Sequence, residues 1–353
     1  MARRQQYLNI LAGLCGLALV GCANDEGTLQ SQKLALIKGR GELICGVQGT
    51  LPGFSSVERD GTYEGFDVDI CRAVAAAMLG DPDKVQYRDL NPSERFAALA
   101  SGEVDLLSRN TTYTLSRDAA GGNGLSFAPV VFFDGQGLMV PRASGITTIK
   151  GLSGKSICVE TGTTSELNLA DRMRALQEPY TPLKFQTSDQ TYAAYLQGRC
   201  AAVTTDRSQL AAKRTGLPNP DDHVLLPDVI SKEPLAPATV NGDPLWSDAV
   251  RWTIYALMQA EELGITQANV EAKVAEARAN PNLADLRRFL GVEGDFGKQL
   301  GLSPDFVVKA LTAVGNYGEI FERNVGSGSL LRLERGLNRS WKAGGLIYAP
   351  PFR

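Results

Sequence analysis

Two segments of this chain repeat one pattern, and the repeat constrains the fold more than any other feature. Residues 41–50 read GELICGVQGT and residues 154–163 read GKSICVETGT, so both fit G-x-x-I-C-x-x-x-G-T. Each segment holds a short apolar run bounded by glycines, which is typical of a buried strand. The chain is therefore expected to build the same kind of strand twice.

A second pair of segments repeats in the same order. Residues 96–107 read FAALASGEVDLL and residues 192–203 read YAAYLQGRCAAV. Each predicts the end of a helix, a stop at Gly102 or Gly198, and then a buried strand. Two repeats in one order predict two α/β lobes of similar build, and a length of 353 residues also favours two domains.

Each lobe shows a signal for the start of a helix. In the first, Asp67 and Asp69 are expected in the first turn of an alanine-rich helix that runs through Met78, because carboxylates suit that end of the helix dipole. In the second, hydroxyl residues from Thr163 with Glu166 close behind predict a helix towards Leu176.

The N-terminus has the features of an export signal. Arg3 and Arg4 precede an apolar stretch at residues 8–20, which is too short to span a bilayer and is typical of a signal peptide. The stretch ends in Leu-Val-Gly-Cys, so we expect a lipoprotein signal peptide over residues 1–22, with Cys22 as the lipid-bearing residue. The predicted location is the periplasm, anchored to a membrane by this lipid. Ordinary secretory cleavage nearby is the alternative.

Export changes the interpretation of the cysteines. Besides Cys15 and Cys22, the remaining four are an even number in an oxidising compartment. They allow three pairings, and we favour the short-range one, Cys45–Cys71 with Cys158–Cys200, because it keeps each bridge within one lobe. Four buried free thiols are the alternative.

Composition limits the partners. The formal net charge of −3 and the lack of a basic cluster argue against nucleic acid. Without a CxxC motif, and with a single histidine, a metal site is not expected, and no cofactor is predicted.

Polar residues follow three of the predicted strands, where ligands bind in doubly wound sheets. Arg117, in the segment SRNTTYTLSRD at residues 108–118, offers a planar fork for a carboxylate. Backbone N–H groups at residues 163–165 favour an anion, and Asp206 accepts from a cation. Together they predict a socket for the charged groups of an α-amino acid. The alternatives are exposed Arg117–Asp118 and Asp206–Arg207 ion pairs and a simple helix cap.

The segments GFDVDICRAVA, SRNTTYTLSRD, GKSICVETGTTSELNLAD and ISKEPL resemble the general (polar) L-amino-acid-binding proteins of ABC importers, within bacterial solute-binding protein family 3. The resemblance extends from about residue 41 to the C-terminus. It implies an α/β fold of the type II periplasmic-binding-protein class, with two doubly wound lobes that are joined by a hinge and close on one amino acid.

The resemblance also implies a set of ligand contacts. The matching positions are Asn110, Thr112 and Arg117 in the first lobe, and Thr163, Thr164, Ser165 and Asp206 in the second. Phe54 lies near the family's aromatic wall, although LPGF departs from the commoner spacing. Gln48 and Gly49 are weaker candidates, and Arg109 is expected beside the pocket.

The predicted boundaries place lobe 1 at residues 41–140 plus 237–295 and lobe 2 at residues 141–236. The chain is expected to cross between the lobes near residues 137–142 and 233–240. Residues 296–353 are predicted to form a helical extension, with a helix start at Ser303-Pro304 and a flexible joint at residues 326–329, GSGS. The sequence leaves open whether its last segment docks on the body.

The predicted function is an extracytoplasmic substrate-binding protein. It would capture polar or acidic L-amino acids and deliver them to ABC permease subunits. One alternative is a periplasmic dehydratase-like enzyme on the same fold; His223 is expected to be exposed in a loop, and no G-x-S-x-G motif occurs. The other is an amino-acid sensor; such modules are usually fused to a transmembrane helix and a kinase, which this sequence lacks before Arg353.

Overall fold

In the computed structural model, which describes residues 30–353, each repeated segment is the second strand of a five-stranded sheet. The sheet of lobe 1 has the order β5-β1-β6-β15-β7. Its strands are β1 (Leu43–Val47), β5 (Val85–Asp89), β6 (Leu106–Leu107), β7 (Leu125–Phe127) and β15 (Ala238–Val240).

The sheet of lobe 2 follows the same plan, with the order β11-β10-β12-β9-β13. Its strands are β9 (Gln136–Pro141), β10 (Ser156–Glu160), β11 (Thr181–Phe185), β12 (Ala202–Asp206) and β13 (His223–Leu225). In both sheets the first three strands are parallel and the fourth is antiparallel to the third. The predicted pair of similar α/β lobes is confirmed.

Helices cover both sheets. Lobe 1 carries α1 (Gln32–Arg40), α2 (Phe66–Leu79), α3 (Arg95–Ser101), α4 (Leu115–Asp118), α8 (Pro244–Glu262), α9 (Val270–Ala279) and α10 (Ala284–Phe289). Lobe 2 carries α5 (Thr164–Leu176), α6 (Ser188–Leu196) and α7 (Arg207–Thr215). The predicted first-turn carboxylates of α2 and the Thr163 cap of α5 are confirmed. Both glycine stops, Gly102 and Gly198, have left-handed backbone.

Two short strands join the lobes. β8 (Phe132–Asp134) leads into β9 through Gly135, and it pairs antiparallel with β14 (Glu233–Leu235) on the way back. Because β9 pairs with β12 and β13, the chain has already crossed to lobe 2 by residue 136. The predicted boundary at residue 140 is therefore too late; residues 136–140 are a buried strand rather than a linker.

A small three-stranded sheet lies beside lobe 1, formed by β2 (Thr50–Leu51), β3 (Ser55–Val57) and β4 (Tyr63–Glu64). Both predicted disulfides are present, each within one lobe. Cys45 in β1 is bonded to Cys71 in α2, and Cys158 in β10 is bonded to Cys200 just before β12. Each bridge therefore ties the repeated strand to a neighbouring element.

The extension after residue 295 packs on lobe 1. It begins with α11 (Phe296–Gln299), α12 (Phe306–Val314) and α13 (Tyr317–Asn324). α12 begins two residues after Pro304 and lies along α2. After α13 come two short 3-10 turns, at Gly336–Asn338 and Trp341–Ala343, so the extension is helical in its first part and irregular afterwards.

Residues 326–329, predicted to be a flexible joint, form a turn that is fixed by side-chain hydrogen bonds. The carboxylate of Glu322 accepts from the Ser327 N–H at 2.9 Å and from its hydroxyl at 2.7 Å. The last segment is docked, since Asn338 accepts from the Phe133 N–H at 2.6 Å and Arg335 pairs with Glu261 at 2.6 Å. The extension thus contacts a strand that joins the two lobes.

The predicted signal peptide, Cys15 and Cys22 lie outside the described residues. Among residues 30–353, every helix is too short or too polar to cross a membrane.

Candidate functional site

The two lobes face each other across a cleft at the carboxyl ends of their parallel strands. An inner cavity there is lined by both lobes. Lobe 1 contributes Pro92, Arg95, Arg109, Asn110 and Thr112, and lobe 2 contributes Glu160, Thr163, Thr164, Ser165, Thr205, Asp206 and Gln209. Six of the predicted contacts, together with Arg109, are therefore brought to one place.

The backbone of Asn110 is fixed by hydrogen bonding, while its side chain makes no hydrogen bond within the described residues. Its φ of 32° is left-handed, which is uncommon for a residue other than glycine. The buried carboxyl of Asp67 supports this conformation by accepting from the Asn110 N–H at 3.2 Å and the Ser108 hydroxyl at 3.3 Å. Burial raises the pKa of Asp67 to about 7, whereas these two hydrogen bonds lower it. The buried amide nitrogen and oxygen of Asn110 have no partner within residues 30–353.

Arg117 is buried on the lobe 1 side, in the short helix α4. One of its nitrogens donates to the Thr112 carbonyl at 2.8 Å, and its guanidinium carbon lies 5.2 Å from the centre of the Phe96 ring. Burial lowers the pKa of Arg117 to about 10, although Glu233 and Asp206 raise it. Arg117 does not line the inner cavity itself. It contacts Thr112, which does line the cavity.

The N-terminus of α5 supplies donors from lobe 2. The Thr163 hydroxyl accepts from the Glu166 N–H at 3.1 Å, which fixes the start of the helix. The N–H groups of Thr163, Thr164 and Ser165 find no acceptor among the described residues. All three residues line the cavity, so the helix offers free donors and its positive dipole end to an anion.

Asp206 is the acidic group that lobe 2 contributes, opposite in charge to Arg117 of lobe 1. It ends β12 and is buried, and its carboxylate accepts no hydrogen bond within residues 30–353. Burial raises its pKa well above the ordinary range, and the carboxyls of Asp134 and Glu233 raise it further, whereas Arg95 and Arg117 lower it. A buried carboxylate without donors is costly, and a bound cation would relieve that cost.

Glu233 links the lobes at the base of the cleft, and the sequence analysis missed it as a site residue. Its carboxylate accepts from the Thr112 hydroxyl of lobe 1 at 2.6 Å. It also accepts from lobe 2, from the Thr164 hydroxyl at 3.0 Å and the Asn168 amide at 2.7 Å. No local signal marked Glu233, because a charged residue in a crossing segment such as ISKEPL is ordinarily exposed.

The sequence analysis also missed Arg95 and Glu160. Arg95 is buried at the start of α3, and Glu160 is buried at the end of β10. Arg109, expected beside the pocket, is buried and lines the same cavity, and its Nε donates to the Leu90 carbonyl at 2.6 Å. Burial raises the pKa of Glu160, whereas Arg109 lowers it. The sequence carries no local signal for Arg95 or Glu160, because a charged residue is ordinarily exposed.

The remaining candidates lie away from the inner cavity. Phe54 is 1% exposed in the core of lobe 1 and packs on Phe66 and Phe132, so it is not a cleft wall in this structure. Gly49 is a turn with φ of 75°, where a side chain would collide with Asp89. Gln48 lines an adjoining outer cavity of about 240 Å³, which it shares with Arg109 and Glu160.

His223 is buried, and the expectation of an exposed loop is wrong. It belongs to β13, and its Nδ1 shares a hydrogen bond of 2.8 Å with the Tyr195 hydroxyl. The polar run before it suggested a loop, but pairing of β13 with β9 buries the ring.

The lobes touch directly across the cleft. The Gln209 amide of lobe 2 donates to the Gln48 amide oxygen of lobe 1 at 3.2 Å, and Ser93 donates to Gln186 at 3.2 Å. Thr112 and Thr164 also approach to 3.3 Å. The structure therefore represents a closed arrangement in which both sets of groups surround one cavity.

The sequence is similar to known binding proteins over nearly its whole length. It is 50% identical over 336 residues to the glutamate/glutamine/aspartate/asparagine-binding protein BztA of Rhodobacter capsulatus, covering 95% of this chain and 96% of that protein. It is 48% identical over 352 residues to the general L-amino acid-binding periplasmic protein AapJ of Rhizobium johnstonii, covering 99% and 100%.

A solved structure and a family model agree with these relatives. An ABC transporter/periplasmic binding protein from Brucella ovis with glutathione bound is 52% identical, with a TM-score of 0.87 over 92% of this chain and 100% of that one. Residues 43–279 match the sequence model of the bacterial extracellular solute-binding proteins, family 3. That family comprises binding proteins rather than enzymes. The chain belongs to the bacterial extracellular solute-binding proteins of family 3.

Proposed function

We propose that this protein captures an L-α-amino acid outside the cytoplasmic membrane and delivers it to an ABC importer. The observation that carries the proposal is a buried arginine and a buried carboxyl from opposite lobes, Arg117 and Asp206, near one closed cavity. An α-amino acid carries a carboxylate and an ammonium on neighbouring atoms, so one ligand can neutralise both.

The carboxylate would be held by Arg117 and by the free N–H groups at the start of α5. The guanidinium uses one nitrogen for the Thr112 carbonyl, which leaves in-plane donors for a carboxylate. The ammonium would be held by Asp206, whose carboxylate has no other donor among the described residues. Asn110, Thr112, Thr163, Thr164 and Ser165 would complete the polar contacts.

Closure would follow because each lobe contributes part of the binding site. In an open form each lobe would hold half of the site, so a ligand would contact both halves after the lobes approach. The ligand then favours the closed form by the difference in contacts between the two states. Glu233, which joins Thr112 of lobe 1 to Thr164 of lobe 2, would stabilise the same closed arrangement.

The relatives indicate which side chains to test. BztA is named for glutamate, glutamine, aspartate and asparagine, and AapJ for L-amino acids in general. We propose polar and acidic L-amino acids as ligands, and ABC permease subunits as the partners that recognise the closed form.

A second ligand class, a γ-glutamyl peptide, is favoured by one observation. The inner cavity adjoins the outer cavity of about 240 Å³, which has room for a group attached beyond a side chain. The Brucella ovis structure is described with glutathione bound. In such a ligand the α groups of the γ-glutamyl residue would occupy the inner site, and the rest would extend outward.

Membrane attachment is proposed through Cys22. Lipid modification of this residue would tether the binding lobes near their permease. Replacing it, Cys22→Ser, is expected to release the protein from isolated membranes into the soluble fraction. Retention in the membrane fraction would contradict the lipid anchor.

The direct test of function is a thermal-shift panel with the twenty L-amino acids, D-glutamate and glutathione. Among these, L-lysine and D-glutamate serve as comparisons. Calorimetry then measures the affinity of each ligand that raises the melting temperature. A bound ligand raises the melting temperature by mass action. We expect shifts with polar and acidic L-amino acids. If no amino acid and no glutathione changes the melting temperature, the proposed function is wrong.

A further inference from the structure

The last segment of the extension, residues 330–353, differs in charge from the rest of the chain. It holds five cations, Arg332, Arg335, Arg339, Lys342 and Arg353, against the single acid Glu334. These cations are spread along the segment, so they form no basic run in the sequence. Because the whole chain has a formal net charge of −3, the residues outside this segment are net acidic. The charge of the segment therefore favours a negatively charged partner.

Three of these cations are available at the surface. Arg332 and Arg339 are exposed, and neither forms an ion pair within residues 30–353. The side chain of Lys342 is 56% exposed, and its ion pair with Glu262 is long, at 3.9 Å. The segment thus presents positive charge that the described part of the chain does not neutralise.

A group of exposed apolar side chains lies among these cations. Its members, here called the tail patch, are Leu337, Trp341, Leu346 and Tyr348, which are 47–56% exposed. The rings of Trp341 and Tyr348 are 5.7 Å apart, and the Leu346 N–H donates to the Leu337 carbonyl at 2.8 Å. The Trp341 N–H donates to the Ile347 carbonyl at 2.9 Å, so the four residues are neighbours in space. Single exposed apolar residues are ordinary, whereas a group of them marks an interaction surface.

The tail patch is fixed to the body of the protein. Asn338 accepts from the Phe133 N–H at 2.6 Å and donates to the Phe133 carbonyl at 3.2 Å. The Lys342 ammonium donates to the Glu262 carbonyl at 3.4 Å, near the end of α8, where Leu263 is a further exposed apolar residue. A partner can therefore dock on the patch without first ordering a flexible segment.

The size and charge of the tail patch favour a lipid surface over a protein. A second copy of this chain would bring the same cations to a self-complementary contact, where like charges repel. A stable protein interface uses about 20–30 residues a side, far more than this patch offers. A lipid surface needs fewer groups, because tryptophan and tyrosine rings lie at the headgroup level, leucine enters the acyl boundary, and cations are drawn to anionic headgroups.

We propose that the tail patch, together with Arg332, Arg339 and Lys342, rests on the surface of a membrane that contains anionic phospholipids. This contact is peripheral and adds to the proposed lipid on Cys22. It goes beyond amino-acid capture, since none of these residues lines either cavity between the lobes.

The test is sedimentation of the protein with lipid vesicles. The chain used begins at residue 30, so that neither a lipid nor the apolar N-terminal stretch contributes, and residues 31–353 form one compact unit. At low salt we expect binding to vesicles of equal parts phosphatidylglycerol and phosphatidylcholine, and much weaker binding to pure phosphatidylcholine. Binding to the anionic vesicles should fall as salt is raised, because salt screens exposed charges.

Two variants separate the charged from the apolar contribution. Arg339→Gln combined with Lys342→Gln should weaken binding to the anionic vesicles by about twentyfold at low salt, since each cation near such a surface contributes about fivefold. Trp341→Ser should weaken it by about tenfold, because the ring no longer enters the interface. Thermal unfolding checks that each variant is folded, and if Trp341→Ser does not fold, the charge variant decides.

Matched controls lie on other surfaces. Arg88→Gln combined with Arg174→Gln removes two exposed cations, whose side chains are 51% and 77% exposed. Leu196→Ser removes an apolar side chain that is 45% exposed on α6 of lobe 2. Both controls should change vesicle binding by less than about twofold, as for surface substitutions without a contact.

Four results would overturn the proposal. They are no binding to the anionic vesicles, equal binding to the neutral ones, losses in the controls as large as those in the tail-patch variants, and a dimer in sedimentation equilibrium that Trp341→Ser dissociates. The last result would assign the tail patch to a contact between two copies. Binding only to vesicles that also contain the permease subunits counts as no binding to lipid and would assign the patch to a protein partner. Calorimetry with L-glutamine tests the cleft separately, so these failures leave the proposed function standing.

Discussion

Lobe 1 brings Arg95, Arg109 and Arg117 to its side of the cleft, whereas lobe 2 brings Glu160, Asp206 and the start of α5. Both lobes use one strand order, and each anchors its repeated strand with a disulfide. The common fold therefore sets where the site lies, while the residues after each strand set its charge. A ligand that carries both charges is the one that suits two such unlike faces.

The lobes also differ in what supports them. The extension packs on lobe 1, where Arg323 and Asn324 bond Asp69 of α2 at 2.7 and 2.6 Å. It reaches the joining strand β8 through Asn338. The extension thus packs against the lobe that supplies the arginines.

The largest expected effect concerns the lobe 1 face. Arg117→Ala should weaken binding of all L-amino acids alike, by about a hundredfold or more, because it leaves the common α-carboxylate without its buried partner. Calorimetry with L-glutamate, L-glutamine and L-alanine measures this. Arg88→Ala is the matched control and should change nothing. Affinities that stay within about twofold of the wild type would show that Arg117 is not in the site.

The next effect concerns the lobe 2 face and depends on pH. The raised pKa of Asp206 means that the free protein holds a proton there at a pH where an ordinary aspartate is ionised. In the proposed complex the ligand's ammonium pairs with the ionised form, so binding would release this proton. Affinity for L-glutamine should therefore fall as pH falls through that pKa, by up to about tenfold per pH unit.

Asp206→Asn isolates this effect from Asp67, Asp134 and Glu160, whose pKa values are also raised. The variant should bind about thirtyfold more weakly near pH 8 and lose most of the pH slope. Asp171→Asn, on the exposed surface of lobe 2, is the control. A slope equal to that of the wild type in Asp206→Asn would assign the proton to another group.

A smaller effect is expected at the residue that joins the faces. Glu233→Gln keeps the shape but replaces a carboxylate that accepts from Thr112, Thr164 and Asn168. Affinity for all amino acids should fall by about tenfold, because charge-assisted hydrogen bonds across the lobes become weaker neutral ones. Calorimetry measures the affinity, and small-angle scattering should show less compaction with ligand. Glu103→Gln on the surface serves as the control, and equal behaviour of the two variants would contradict a linking role for Glu233.

The smallest expected effect is at a neutral contact between the lobes. Gln209→Ala removes the 3.2 Å bond to Gln48, a neutral contact that forms between the closed lobes. A neutral hydrogen bond contributes modestly to the stability of the closed form, so the affinity for amino acids should fall by about two- to tenfold. Gln197→Ala, on the exposed end of α6, is the comparison. A loss as large as that of Arg117→Ala would mean that neutral contacts between the lobes, rather than the charges, dominate closure.

Local features of this fold were predictable from the sequence. Glycine-bounded apolar runs predicted β1 and β10, and the hydroxyl residues before Glu166 predicted the start of α5. These signals depend on neighbours in sequence, so no tertiary information is needed. The within-lobe disulfides followed from the same repeat, since each pairing joins a repeated strand to its own lobe.

The missed features depend on contacts between distant residues. Glu233 and Arg95 are polar residues in polar surroundings, and folding alone buries them in the cleft. His223 and Phe54 were misplaced for the same reason, because strand pairing buries one and core packing the other. The early crossing at residue 136 depends on pairing of β9 with β12, which is remote in sequence.

A crystal structure of the protein with L-glutamate bound tests the central claim most directly. The account predicts one ligand between the lobes, with its α-carboxylate in hydrogen-bond contact with the Arg117 guanidinium and its α-ammonium in contact with the Asp206 carboxylate. A ligand whose α groups contact a single lobe, or that touches neither Arg117 nor Asp206, would contradict it.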